Sequence, residues 1–268
     1  DGSFTKRLHA GWAAHSGLIA SLLSREGFTG PTSIIEGRHG FLHAYSPKSD
    51  AEKVLSGWGN PYEVMRTSIK PHACCRYNQG SIDCILDIMR ENELSEKDIE
   101  KVTVSILKAG TAIVAEPRQS KLNPDNIVDA QFSMPFGAAV AIIYGKAFID
   151  QYCMENIASS RVRDLMPRIV CIENPEIEKE FPRKWPAEVD IRTHDGRTYR
   201  TELQYPKGDP ENPLSWEEII DKFNNLTASV LSEKKRTAIV DRVRSVENET
   251  DVNYFMEALI VPTAKSSS

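Results

Sequence analysis

The chain has 268 residues, with 33 Lys and Arg against 38 Asp and Glu for a formal net charge of −5; it is 40% hydrophobic and 26% charged. That balance is ordinary for a globular protein and excludes wholesale disorder, and its acidic side argues against nucleic acid as the main partner, because phosphate binding needs clustered positive charge. No apolar run approaches the ~18 residues needed to span a bilayer, and Asp1 to Arg7 lacks the apolar core of a signal peptide, so no membrane partner is expected.

In chain order, Trp12, His15, Leu18, Ile19 and Leu22 recur at helical spacing and predict a helix over 10–26, stopped by Gly27. His15 then reads as a core histidine. Short helices are expected at about 50–57 and 61–67, broken by Gly57-Trp58-Gly59-Asn60-Pro61. Ile82, Ile85, Leu86 and Met89 mark the buried side of a helix over 77–92. Val102, Val104 and Ile106 alternate with more polar neighbours as in a half-buried strand. A loop is expected over 115–126. Residues 127–149 read as one helix, very apolar at 138–143, with Pro135 implying a kink or break. Residues 168–173 form a short strand, and 186–193 and 197–203 flank Asp195-Gly196, a strong hairpin signal. Helices follow at 215–231 and 233–247, with Ser215 as a cap ahead of Glu217 and Glu218.

This order predicts an α+β fold: a mainly helical domain interrupted by a smaller α+β lid domain. The helical domain comprises 1–67 and 206–268, packed together, and the lid comprises 68–205.

Three clusters carry possible chemistry. Thr5-Lys6-Arg7-Leu8-His9 places two cations and a His beside a helix start, either an anion site or a solvated basic turn. Lys70-Pro71-His72-Ala73-Cys74-Cys75-Arg76-Tyr77 gathers at a helix entrance an Arg that could meet a carboxylate, a Lys or His that could act as acid or base, and two small thiols, and reads either as a site or as a capped helix start with buried thiols. Asp129 to Gly137 contains a helix break. His39 and His43 lack the further ligands of a metal site, and His194 reads as exposed. The five Cys contain no CxxC, which argues against a zinc ribbon, a thioredoxin motif or an iron–sulfur site and for reduced thiols.

These segments, in this order, resemble the MmgE/PrpD family (2-methylcitrate dehydratase, cis-aconitate decarboxylase, iminodisuccinate epimerase). Thr5 to Ala14 is similar to its central lysine motif, Lys70 to Tyr77 to K-P-[YFH]-x-C-C-R-[YH], Ala130-Gln131-Phe132-Ser133-Met134-Pro135-Phe136 to A-[KQ]-F-S-[LM]-[PQ]-[YF], and Gly208-Asp209-Pro210-Glu211-Asn212-Pro213-Leu214 to G-x-P-x-N-P-[LM]. The resemblance implies a helical domain with an α+β lid, usually dimeric, and catalysis on small polycarboxylates without a metal or organic cofactor. It implies Lys6, Lys70 and His72 as catalytic candidates, and Arg76, Cys75, His9, Gln131 and Phe136 as substrate-binding candidates.

Cys75 stands where the decarboxylases carry a His, Phe136 where many members have a Tyr, and Asn78-Gln79 where Thr-His is common. These departures favour dehydration or hydration of a citrate-like acid such as 2-methylcitrate over decarboxylation. Epimerisation, or a non-catalytic fragment binding a partner chain, are the alternatives. The family carries further helical chain ahead of the Lys6 motif, so a separate chain supplying that segment is a possible partner. A cytoplasmic or mitochondrial matrix location is expected.

Overall fold

The computed structural model describes residues 5–60 and 62–260. The chain divides into two compact units, residues 1–67 and 68–268. The C-terminal helices thus group with the sheet-bearing segment.

In the first unit, α1 (Thr5–Arg25) begins five residues before the predicted helix, and Gly27 follows it at φ +88°. Two short helices come next, α2 (Phe41–Tyr45) and α3 (Ala51–Leu55), the latter capped by Asp50, whose carboxylate accepts from the Glu52 N–H. No residue of α1 is buried, and Trp12 is 63% exposed. His15 is therefore not the core histidine expected: it is exposed, with its ring stacked on Trp12 at 5.4 Å. Helical spacing predicts an apolar stripe, but the stripe is buried only where another element covers it.

The second unit opens with α4 (Gln79–Glu91) and β1 (Ile99–Ile106), then α5 (Lys108–Gly110) running into a π-helical turn at Thr111–Ala115. Next come α6 (Arg118–Leu122), α7 (Ile127–Gln131), α8 (Met134–Tyr144), α9 (Met154–Ala158), α10 (Ser160–Leu165), β2 (Ile169–Glu173) and α11 (Pro175–Glu178). The hairpin strands are β3 (Ala187–Thr193) and β4 (Thr198–Leu203), followed by α12 (Trp216–Thr227), α13 (Glu233–Arg244) and α14 (Val252–Leu259). Two expectations are corrected. The 115–126 segment contains α6 rather than loop alone. The segment 127–149 is broken next to Pro135, as its proline implied, but into two separate helices, because Ser133 is extended and caps α8, its hydroxyl accepting from the Phe136 N–H at 3.1 Å. Pro135 then sits in the first turn of α8, where its missing N–H costs nothing.

The sheet has the order β2-β1-β3-β4, with β1 parallel to β2 and antiparallel to β3, and with β3 and β4 as the hairpin. α4 packs against β3, β4 and α8. Ile82, Ile85, Val102, Val104, Val189 and Ile191 are each fully buried in this core, each contributing roughly 1.5–3 kcal/mol by leaving water. Gly80 lets α4 approach the hairpin closely, since a Cβ there would stand 2.9 Å from the Ala187 methyl. Among the described residues no helix is long and apolar enough to cross a membrane.

The start of the second unit is tied to the turn after β4. The Ile69 N–H donates to the Gly208 carbonyl at 2.8 Å, and the Gly208 N–H donates to the Asn212 carbonyl at 2.8 Å. Gly208 has φ +90°, and a Cβ there would fall 1.8 Å from the Ile69 carbonyl oxygen. Left-handed strain and overlap therefore coincide. The Gly208→Ala variant should lose about 2–4 kcal/mol of stability, read as a lower urea midpoint with an unchanged slope.

Candidate active site

Irregular backbone from Lys70 to Cys75 enters the interior of the second unit just before α4. Buried backbone groups need partners, and side chains supply several of them here. Gln79, fully buried on the first turn of α4, accepts from the His72 N–H at 3.1 Å through its side-chain oxygen. Its amide nitrogen donates to the carbonyls of His72 at 3.1 Å and Cys74 at 3.3 Å. Gln131 holds the other side. Its amide donates to the Ala73 carbonyl at 2.8 Å, while its own carbonyl accepts from the Cys75 N–H at 2.9 Å.

This framework aims the charged side chains. His72 is buried, and its Nε2 lies 2.9 Å from Asp83 Oδ1. Asp83 Oδ2 in turn accepts from the Lys207 N–H at 2.8 Å. A carboxylate acceptor at Nε2 places the proton there and leaves Nδ1 with the basic lone pair. Lys70 Nζ donates to the Cys74 carbonyl at 3.2 Å, and Lys222 Nζ on α12 donates to the Lys70 carbonyl at 2.8 Å. Burial, and secondarily the positive charge of Lys70, hold the Lys222 ammonium below the ordinary lysine pKa.

His72, Asp83, Lys146, Lys207 and Lys222 line a cleft of about 620 Å³ between α4 and α12. This volume falls in the range of small-molecule sites.

Arg76 has different company. Its guanidinium donates to Asp209 Oδ2 at 2.6 Å and stacks over the Trp185 ring at 4.7 Å. With only 20% of its side chain exposed and Asp209 at 4%, this pair fastens α4's entrance to the 206–213 turn.

Of the residues singled out in the sequence, Lys70, His72, Cys75, Arg76 and Gln131 come together in and around this segment. Cys75 is buried there. Phe136 is fully buried within α8, its ring centroid 5.5 Å from that of Tyr152. Lys6 and His9 stand one turn apart on α1 of the first unit, both exposed.

Sequence reasoning missed Asp83, Lys222 and the role of Gln79. Asp83 stands one helical turn after Gln79, so a carboxylate at that spacing on the predicted helix was an available signal. Lys222 is far away in sequence and carried none. Among the described residues no three His, Cys, Asp or Glu side chains gather as a metal site.

Two predictions follow from this packing. Gln79→Ala leaves the buried His72 N–H without its acceptor and should cost about 1–3 kcal/mol, measured by urea unfolding. Burial pushes the thiols of Cys74 and Cys84 up to about 12 from an ordinary 9.0. Because the folded values are raised, the stability they confer is complete below pH 9 and is lost as pH rises toward 12. Both thiols should react with a disulfide reagent at pH 8 about 1000-fold more slowly in the folded protein than in urea, and the urea midpoint should fall progressively above pH 9.

Comparison with known proteins places this geometry. Residues 72–247 match the MmgE/PrpD C-terminal domain, and residues 2–54 match the MmgE/PrpD N-terminal domain. The chain is 25% identical over 263 residues to the cis-aconitate decarboxylase-like protein oryM of Aspergillus oryzae, covering 92% of this chain and 53% of that protein. It is 24% identical over 275 residues to cis-aconitate decarboxylase of Aspergillus terreus (97% and 56% covered), and 22% identical over 271 residues to that of Mus musculus (98% and 54%). The chain thus spans about half the length of these curated relatives. With two thirds of its length matched by the C-terminal domain and the N-terminal domain matched ahead of it, the chain belongs to the MmgE/PrpD family.

Proposed function

We propose that this chain is the working part of a lyase for small polycarboxylates that dehydrates or hydrates a citrate-like acid such as 2-methylcitrate. The observation that carries the reading is the His72–Asp83 pair on the wall of a cleft with lysines on its other sides. A polycarboxylate needs cations to leave water, and Lys70, at the head of the segment that carries His72, is assigned that work. Neutralising a carboxylate also acidifies the adjacent C–H, because the enediolate that forms on deprotonation is stabilised. In this reading His72 takes or returns a proton through Nδ1 while Asp83 steadies the ring. The C–H electrons form the new double bond, the C–O bond breaks, and the hydroxide leaves as water after receiving a proton from a second group. Arg76, already matched by Asp209, holds the site's framework rather than the substrate.

Decarboxylation is the second reading, favoured by the relatives, whose names give cis-aconitate as substrate. There the C–C bond to a carboxylate breaks, carbon dioxide leaves, and the carbanion is protonated.

The two are separated by incubating the purified protein with 2-methylcitrate, citrate and cis-aconitate. Ultraviolet absorbance follows the conjugated double bond, and evolved carbon dioxide is measured in parallel. Dehydration predicts rising absorbance from the hydroxy acids with no gas, and His72→Asn should lower kcat about 100-fold or more. Carbon dioxide from cis-aconitate establishes the second reading instead. No turnover of any of the three acids overturns both.

A further inference from the structure

Most charges around the cleft are matched. Asp83 is engaged by His72, Asp87 by Arg90, and Glu218 by Lys207 Nζ at 3.1 Å. Lys222 on the cleft wall and Lys70 at the head of the irregular segment are different, as is exposed Lys146 on the wall, which forms no ion pair either among the described residues. Lys222 and Lys70 are joined through backbone, Lys222 Nζ to the Lys70 carbonyl at 2.8 Å, and Lys70 Nζ continues to the Cys74 carbonyl at 3.2 Å. Both are half-buried, and among the described residues neither ammonium forms an ion pair with a carboxylate. Asp221 precedes Lys222 and also lines the cleft, yet makes no ion pair with it.

An ammonium has three donors, and each of these donates to one carbonyl. Donors therefore remain on both. Two neighbouring positive charges partly removed from water repel one another, and the depressed proton affinity of Lys222 records that, after burial. An anion in the cleft against Lys222 would accept from its remaining donors and offset the repulsion.

We propose that Lys222 is a substrate-binding residue, which takes one carboxylate of the ligand at the α12 side of the cleft. The inference rests on the reading of the cleft as a polycarboxylate site and adds to it a residue from a helix that no motif marked.

The test uses tricarballylate, a saturated tricarboxylate with no hydroxyl to eliminate, and calorimetry on the purified protein. Lys222→Met keeps the apolar stem and should weaken binding about 10- to 100-fold, the loss expected for a hydrogen bond between charged groups. Lys222→Arg keeps the charge and should recover most of it. A footprint on the unmutated protein serves as the second readout. Under competitive acetylation, Lys222 should react faster than exposed lysines such as Lys101, and saturating tricarballylate should slow it about tenfold or more. If Lys222→Met fails to fold, this footprint decides alone. Tight tricarballylate binding with neither an effect of Lys222→Met nor protection of Lys222 overturns the proposal and leaves the polycarboxylate reading standing. Absence of binding to the unmutated protein overturns that reading and the proposal with it.

Discussion

Buried backbone without regular secondary structure must find its hydrogen bonds elsewhere, and the segment from Lys70 to Cys75 is governed by that need. Its partners come from four places in the chain. Gln79 on α4 serves His72 and Cys74, Gln131 at the end of α7 serves Ala73 and Cys75, the Ala147 carbonyl accepts from the Ala73 N–H, and Lys222 on α12 caps the Lys70 carbonyl. Each partner is itself anchored in a packed helix or in the turn beside one. The position of His72 and the two ammoniums is thus a consequence of backbone satisfaction before it is a matter of catalysis.

The same economy explains the departure at Gln79. A side-chain amide offers an acceptor and two donors at one point, and this one meets both the N–H and the C=O of His72. A histidine there would offer one donor and one acceptor from opposite sides of a ring, and would not make this pattern. Gln79 is therefore the scaffold of this segment, and the His72 ring is oriented by Asp83. Arg76 works alongside it. Its partly buried pair with Asp209 and its stack on Trp185 lock the entrance of α4 to the turn that carries Gly208. Breaking one partner of such a pair strands the other's charge, so the two motifs that carry Arg76 and Asp209 behave as one unit.

Charge in the cleft follows from these anchors. Asp83, Asp87 and Glu218 are each held by a nearby cation or imidazole, so the cleft is far less acidic than its carboxylates suggest. Lys222 on the cleft wall and Lys70 beside it form no ion pair among the described residues and are joined by a carbonyl that needed a donor. Membership of the MmgE/PrpD family gives that corner a chemical context, and the low identity to the cis-aconitate decarboxylases leaves the reaction to be measured.

Sequence alone determined the local structure wherever pattern and propensity agree. The 3.6-residue period of Ile82, Ile85 and Met89 located α4, the alternation of Val102, Val104 and Ile106 located β1, Asp195-Gly196 located the hairpin, and Ser215 with Glu218 located the start of α12. The ordered motifs identified the family, because residue types at fixed spacing are visible in one dimension. Tertiary structure decided the rest. It alone left His15 in the open, gave Arg76 to Asp209, put Phe136 in the core, and set Lys222 against Lys70. Those outcomes depend on which surfaces meet and which buried groups lack a partner, and residues as far apart as Lys70 and Lys222 share no sequence period that could announce their meeting.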